Sequence, residues 1–215
     1  MRILVMSDPH GSVQAYKQYK KNCIENNANV GIISGDLTTY SESPFEDEQK
    51  LKSILDSIEI PILFIMGNDD EFEWENGKKT ININQRKIVI NNHCFIGYQY
   101  TNPFIGGDFE KDENNQLKDF EELEKLCEDN YILVTHGPAF GILDKVGNNK
   151  NVGSKALLGF INKTKPLYHV FGHIHEDSGI LNNSINASFP ISKSMYLIII
   201  FDFFRRAAGV HRTFA

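Results

Sequence analysis

Six short runs of aliphatic and β-branched residues recur along the chain: RILVM (2–6), VGIIS (30–34), ILFIM (62–66), YILVT (131–135), LYHVF (167–171) and YLIII (196–200). Their length and composition suit buried strands. Amphipathic stretches separate them, and helices are predicted over Ser12–Asn26, Phe45–Ile58, Asn114–Asp129 and roughly Ser154–Lys163. In the third of these, Leu117, Phe120, Leu123, Leu126 and Cys127 fall at helical spacing, so that segment should lie with one face on a sheet. Between 80 and 98 the pattern changes to a period of two, in TININ, KIVI and HCFIGY, as expected of antiparallel strands with a turn at Asn91–Asn92. Alternating strands and helices with this insertion predict an α/β fold of two packed sheets with helices outside.

Length and composition fit that picture. A chain of 215 residues, 41% hydrophobic, suits one domain. We take it as residues 1–204, leaving 205–215 as a tail without usable periodicity, disordered or foreign to the natural chain. Lys and Arg number 22 against 28 Asp and Glu, a formal charge of -6, which opposes the counterion-release binding used on duplex nucleic acid. Cys23, Cys94 and Cys127 show no CxxC spacing, so neither a disulfide framework nor a thiolate zinc site is expected. The longest apolar run, MYLIIIFDFF, is about half the ~20 residues of a membrane helix, and MRILVMSD turns polar too early for a signal peptide. A soluble, cytoplasmic protein is the expectation.

The polar residues that follow the apolar runs carry the chemistry. After residues 2–6 comes SDPH, with Asp8 and His10; after 30–34, GD, with Asp36; after 62–66, GNDD, with Asn68, Asp69 and Asp70; after 131–135, HG, with His136; after 167–171, GHIH, with His173 and His175. In open α/β sheets ligands bind beyond the carboxyl ends of strands, so these groups should meet at one edge. Carboxylates, one amide and imidazoles without sulfur suit Mn, Fe, Co, Ni or Zn. Seven ligands exceed the needs of one ion, whereas two ions roughly 3.5–4 Å apart sharing a carboxylate would use them. The Asn- and Gly-rich segments 101–115 and 146–154 read as active-site loops.

SDPHG, SGD, GNDD, THG and GHIH, in that order, resemble the calcineurin-like metallophosphoesterases. THGPAFGILD, VGSKALL, HVFGHIHEDSG and INAS are similar to the branch of small metallophosphoesterase-domain phosphodiesterases. The resemblance implies a four-layer αββα sandwich of two mixed sheets. It implies that Asp8, His10 and His175 hold one divalent ion, that Asn68, His136 and His173 hold another, and that Asp36 bridges them. Manganese is the favoured metal, with Fe, Co, Ni, Zn or Mg as alternatives, and a metal-bridging hydroxide would attack phosphorus in line. Phosphodiesters such as cyclic or small nucleotides are the expected substrates. A phosphomonoester phosphatase, a single-strand nuclease and a metal-binding scaffold with little turnover are the alternatives.

One position departs from the family pattern. Asp69 stands where a histidine usually follows the asparagine, and an ionised Asp neither donates a proton nor welcomes an anion. Crowded by Asp70 and substrate, Asp69 is expected to be protonated and to act as a weak general acid; the plainer reading has it point away. His169, alternating with Phe171, is expected to be a packed histidine, and His93 and His211 to be structural or superficial. Phe72, Trp74, Tyr98, Tyr100 and Phe104 offer an aromatic wall for a nucleobase, with core packing the preferred reading. Asn148, Asn149 and Lys150 read as a turn. Glu176 and Asp177 orient an imidazole or form a solvated turn, both readings standing equal.

Overall fold

The computed structural model describes residues 1–188 and the backbone of 195–200 and 209–214. In chain order the elements are β1 (Arg2–Met6), α1 (Val13–Glu25), β2 (Val30–Ser34), α2 (Pro44–Asp56), β3 (Ile62–Ile65), β4 (Thr80–Asn82), β5 (Lys87–Ile90), β6 (His93–Tyr98) and α3 (Glu113–Glu124). There follow β7 (Ile132–Thr135), β8 (Lys145–Val146), β9 (Lys150–Asn151), α4 (Lys155–Thr164), β10 (Tyr168–Phe171), β11 (Gly179–Leu181), β12 (Ser184–Asn186), β13 (Met195–Ile200) and β14 (Gly209–Phe214).

Two sheets face each other. The first runs β14-β13-β1-β2-β3-β4 and the second β11-β12-β10-β7-β6-β5. Alternation within each strand builds the layers. Ile3, Val5, Val30, Ile32, Leu63 and Ile65 point from the first sheet onto Phe95, Ile132, Val134, Val170 and Ile185 of the second. The intervening positions Leu4, Met6, Ile33 and Phe64 turn outward to Tyr16, Tyr19, Leu51 and Leu55 of α1 and α2. On the other side Ile96, Tyr98 and Leu133 meet Phe120, Leu123, Leu157 and Phe160 of α3 and α4. The result is the expected αββα sandwich. Strands β1, β2 and β3 are mutually parallel, as are β6, β7 and β10, so each triplet ends on a common edge.

The helices begin where side chains satisfy their first amides. Ser12 Oγ accepts from Ala15 N, Asp112 Oδ1 from Asn115 N and Ser154 Oγ from Leu157 N. Glu113 of α3 adds its carboxylate to the start of α4, accepting from Lys155 N and Ala156 N at 2.8 and 2.6 Å.

Three expectations are corrected. β4 does not join the antiparallel pair: it lies parallel to β3 at the edge of the first sheet, and the chain crosses to the second sheet only where Gln85 N donates to Gly97 O. β5 and β6 do pair antiparallel around Asn91 and Asn92, both with positive φ. α3 ends at Glu124 rather than Asp129, the chain tightening into turns at Leu126 and Cys127. Leu117 is exposed and Gln116 takes the buried place, held by Asn102 Oδ1 and Lys111 O. Within the stretch read as a tail, Gly209–Phe214 pairs antiparallel with β13; residues 201–208 and 215 lie outside the described residues.

Candidate metal centre

The loops after β1 and β2 are laced together by their main chains. Asp8 N donates to Gly35 O, His10 N to Asp36 O and Gly11 N to Leu37 O, at 2.9 to 3.1 Å. This lacing requires sharp reversals. Asp8, His10 and Asp36 all have positive φ, of 56°, 44° and 50°, as does His173 at 69°. Left-handed backbone is uncommon outside Gly; Asp and His tolerate it better than most residues, and its concentration in these four positions is of the kind found at functional sites. Close packing adds a second constraint: a Cβ on Gly35 would run into His136 Nδ1, and one on Gly172 into Ser7 Oγ and Asp8 Oδ2.

Six of the seven predicted ligands come together by direct side-chain contact. His175 Nε2 lies 3.4 Å from Asp8 Oδ1, His136 Nε2 lies 3.2 Å from Asp36 Oδ1 and 3.0 Å from Asn68 Oδ1, and His10 Nε2 lies 3.8 Å from Asp36 Oδ2. Ligand-bearing atoms of Asp8, His10 and His175 fall within 4.8 Å of one another, as do those of Asp8, Asp36 and His136. His173, the seventh, brings its ring to 5.1 Å from that of His136, and its main-chain N–H donates to both oxygens of Asp8.

His136 tests whether a cation fits. Its Nδ1 lies 2.8 Å from the carbonyl of Ser34, which can only accept, so Nδ1 carries the proton. In the neutral ring Nε2 is then a lone pair pointed at oxygens of Asp36 and Asn68. Three lone pairs converging in a fully buried pocket repel unless positive charge lies among them. Without a metal that charge is a proton: burial opposes it, yet Asp36 and Asp8 push the His136 pKa up to about 10. A metal ion answers the same demand with the preferred donors of borderline cations. The residues therefore fit the two-ion reading.

The remaining shifts follow from burial against charge. Burial raises the Asp8 carboxyl, but the hydrogen bond from His175 and the charges of His136 and His175 hold it well below the usual carboxylate range. Burial and His136 bring His173 down to about 4, leaving it neutral as a ligand must be. His175 is raised by its hydrogen bond to Asp8.

Asp69 and Asp70 part company. Asp70 is buried and accepts from Leu37 N, Thr38 N, Thr38 Oγ1 and Gly67 N, so it braces the loops rather than facing a substrate. Burial and Asp36 raise it to about 7 against the pull of those donors. Asp69 is half-buried; its N–H donates to Asp36 Oδ1, and its Oδ2 lies 3.2 Å from His10 Nδ1. Burial and Asp36 raise its pKa, with His10 opposing.

Other sequence candidates settle elsewhere. His169 is fully buried, its Nε2 2.8 Å from Thr135 Oγ1 and its ring stacked on Phe171. Trp74 and Tyr98 are core, and only Phe104 of the aromatic wall stands exposed beside the histidines. Most of the 146–154 segment belongs to the β8–β9 hairpin, which runs from Lys145 to Asn151, and Asp177 and Glu176 hold it by accepting from Lys145 N and Gly147 N. Ser188, whose Oγ donates to Asp8 Oδ2 at 2.9 Å, received no role from the sequence, although it closes the INAS motif. No helix among the described residues is long and apolar enough to cross a membrane.

Comparison with known proteins agrees with this architecture. A UPF0046 protein of Caenorhabditis elegans is 33% identical over 101 residues, 47% of this chain and 33% of the relative. Human metallophosphoesterase domain-containing protein 1 is 43% identical over 63 residues, 26% of this chain and 19% of the relative. The matched segments thus span a third or less of those relatives. Among solved structures, TT1561 of Thermus thermophilus superposes with a TM-score of 0.69 at 15% identity over 98% of both chains. A dimetal phosphatase from Danio rerio gives 0.62 at 7% identity, over 93% of this chain and 92% of the other. The family description "Calcineurin-like phosphoesterase" matches residues 1–177, a stretch that holds all five strand-end motifs, and the chain belongs to that family.

Proposed function

We propose that this protein is a binuclear metal-dependent hydrolase of phosphoesters, with phosphodiesters preferred over monoesters. The observation that carries this reading is the convergence of His136, Asp36 and Asn68 lone pairs beside the Asp8–His10–His175 cluster, with Asp36 common to both neighbourhoods. Bound there, two divalent transition-metal ions, manganese in our reading, would supply neutralisation of the phosphoryl oxygens and a lowered pKa for water.

The chain's own residues do the rest. Asp8, His10 and His175 would hold one ion, Asn68, His136 and His173 the other, with Asp36 between. Ser188 and the His173 main chain fix the Asp8 carboxylate, and Ser34 O fixes the tautomer of His136. Asp69 does the equivalent for His10. Its oxygen stands 3.2 Å from Nδ1 while Nε2 faces Asp36, so the carboxylate can position the ring, a duty that does not require it to deliver a proton.

Charge bears on the choice of substrate. With two divalent ions bound, the carboxylates of Asp8, Asp36 and Asp69 offset most of the positive charge, which leaves little surplus to favour a monoester dianion over a diester monoanion. A reducing, cytoplasmic setting suits the thiols of Cys23, Cys94 and Cys127, which are free.

Hydrolysis of an activated aryl phosphodiester and of the matching monoester, with Mn added and then chelated, tests the reading. Faster diester turnover, lost on chelation, supports it. Faster monoester turnover makes the protein a phosphatase, and no turnover with any metal makes it a metal-binding scaffold. Asp69→Asn keeps an acceptor for His10, so good and poor leaving groups should be affected alike; a selective loss on the poor one would establish proton donation.

A further inference from the structure

Phe104 is 73% exposed, yet the main chain of the loop that carries it is held by several hydrogen bonds. Glu110 accepts from three successive amides, those of Phe104, Ile105 and Gly106, at 2.7 to 2.9 Å. Thr101 closes the base of the loop through Phe109 O and Lys111 N, and Asn102 ties it to Val152 O and Gln116. On its inner side Gly107 lies so close to the main chain of Asn68 that a Cβ would approach the Asn68 carbonyl oxygen to 2.8 Å. The loop is therefore seated directly on one of the proposed ligands.

This fastening holds the ring of Phe104 perpendicular to that of His173, with centroids 5.6 Å apart. Single exposed apolar side chains are ordinary on protein surfaces. Here the main chain under the exposed ring is instead preset by three hydrogen bonds, and the ring stands beside His173 at the lip of the candidate metal centre, with Ile105, also exposed, next to it. A surface loop gains nothing in folding by holding an aromatic ring in water. A ligand with a flat apolar face gains from finding the ring already in place.

We propose that Phe104 is a specificity residue, a platform on which a planar group esterified to the phosphate, an aryl ring or a nucleobase, stacks while the phosphate lies at the metal centre. This inference rests on the phosphodiesterase reading above for its catalytic form, but stacking itself requires only that the phosphate bind. Phosphoesters with flat apolar substituents are then the substrate class, and short alkyl esters are disfavoured.

Two measurements on the Mn-loaded protein separate this inference from the catalytic reading. Calorimetry would compare phenyl phosphonate with methyl phosphonate, neither of which is hydrolysed. Wild type should bind the phenyl compound roughly tenfold more tightly, a preference that Phe104→Ala removes and Phe104→Trp keeps or enlarges. Steady-state kinetics on phenyl and methyl esters should show the ratio of their KM values shifting by about the same factor in Phe104→Ala. Glu110→Gln, which unfastens the loop without touching the ring, should fall between. Selective binding without turnover would retire the hydrolase and leave the platform standing. Equal affinities for the two phosphonates in wild type, or a preference that survives Phe104→Ala, overturns the platform whatever the enzyme hydrolyses.

Discussion

The two halves of the metal centre are built differently. Asn68 and His136 anchor a half built into the interior, with His173 at its rim: the side chain of His136 has no exposure, and its Nδ1 spans from the second sheet to Ser34 O at the end of β2. Asp8, His10 and His175 form a half open to solvent on its histidine side, with His10 and His175 side chains 21% and 28% exposed. The buried half offers neutral donors and is wired into the fold. The open half carries the charge of Asp8, itself buried and held by Ser188 and His173 N, and presents histidines that leave room for a substrate. One half therefore doubles as structure, while the other faces solvent.

In the proposed centre Asp36 links the halves, and removing its charge should have the largest effect. Asp36→Asn is expected to lower activity by more than about a hundredfold, beyond the usual cost of losing an outer-shell partner, with circular dichroism unchanged. A variant that retains turnover would show that the halves act separately.

The next test splits them. In metal-free protein, His136→Ala takes one of two buried side-chain donors from Ser34 O, Ser7 Oγ being the other, and the cationic partner from buried Asp36, and should cost ~1–3 kcal/mol in urea denaturation. His10→Ala, partly exposed, should stay within about 0.5 kcal/mol. Both should lose activity, and equal destabilisation would erase the distinction drawn here.

A smaller change probes the clamp on the open half. Ser188→Ala removes one hydrogen bond from Asp8 and should weaken metal binding by about tenfold in a calorimetric titration, without altering stoichiometry. An unchanged affinity would reduce Ser188 to packing.

The smallest effect concerns a histidine whose burial is not relieved by any carboxylate. Thr135 Oγ1 also lies 2.7 Å from Gly137 O and donates to it, so His169 Nε2 must donate to Thr135, and burial lowers the His169 pKa from 6.5 to about 3. The unfolded chain therefore binds the extra proton first, and stability falls as pH drops from 6.5 towards 3. His169→Gln should shallow that acid slope, seen as a smaller Tm difference between pH 6.5 and pH 5 than in wild type. An equally steep slope would assign the loss to other groups.

Much of the centre was legible because strand ends and ligands coincide in sequence. Each motif follows an apolar run directly, so once the strands were placed the edge was placed too. The relation between strands was not legible in the same way. The alternation in Thr80–Asn82 suits either an edge strand of the first sheet or a partner for β5, and only tertiary packing decides between them. Leu117 and Gln116 illustrate a similar limit, since a buried amide satisfied by Asn102 and Lys111 leaves no trace in a hydrophobic pattern. Ser188 lies 180 positions from Asp8, and a hydrogen bond over that distance has no periodic signature. Asp70 looked like a partner for Asp69 because it is its neighbour, whereas the turn sends its carboxylate into the amides of residues 37, 38 and 67.

The seven candidate ligands are divided between the sheets: Asp8, His10, Asp36 and Asn68 follow strands of the first, and His136, His173 and His175 follow strands of the second. Neither sheet by itself owns a complete set. Cutting the polypeptide between β4 and β5 would give one fragment with the oxygens and one with most of the nitrogens. Recovery of ion binding on mixing the two would thus report reassembly of the sandwich itself.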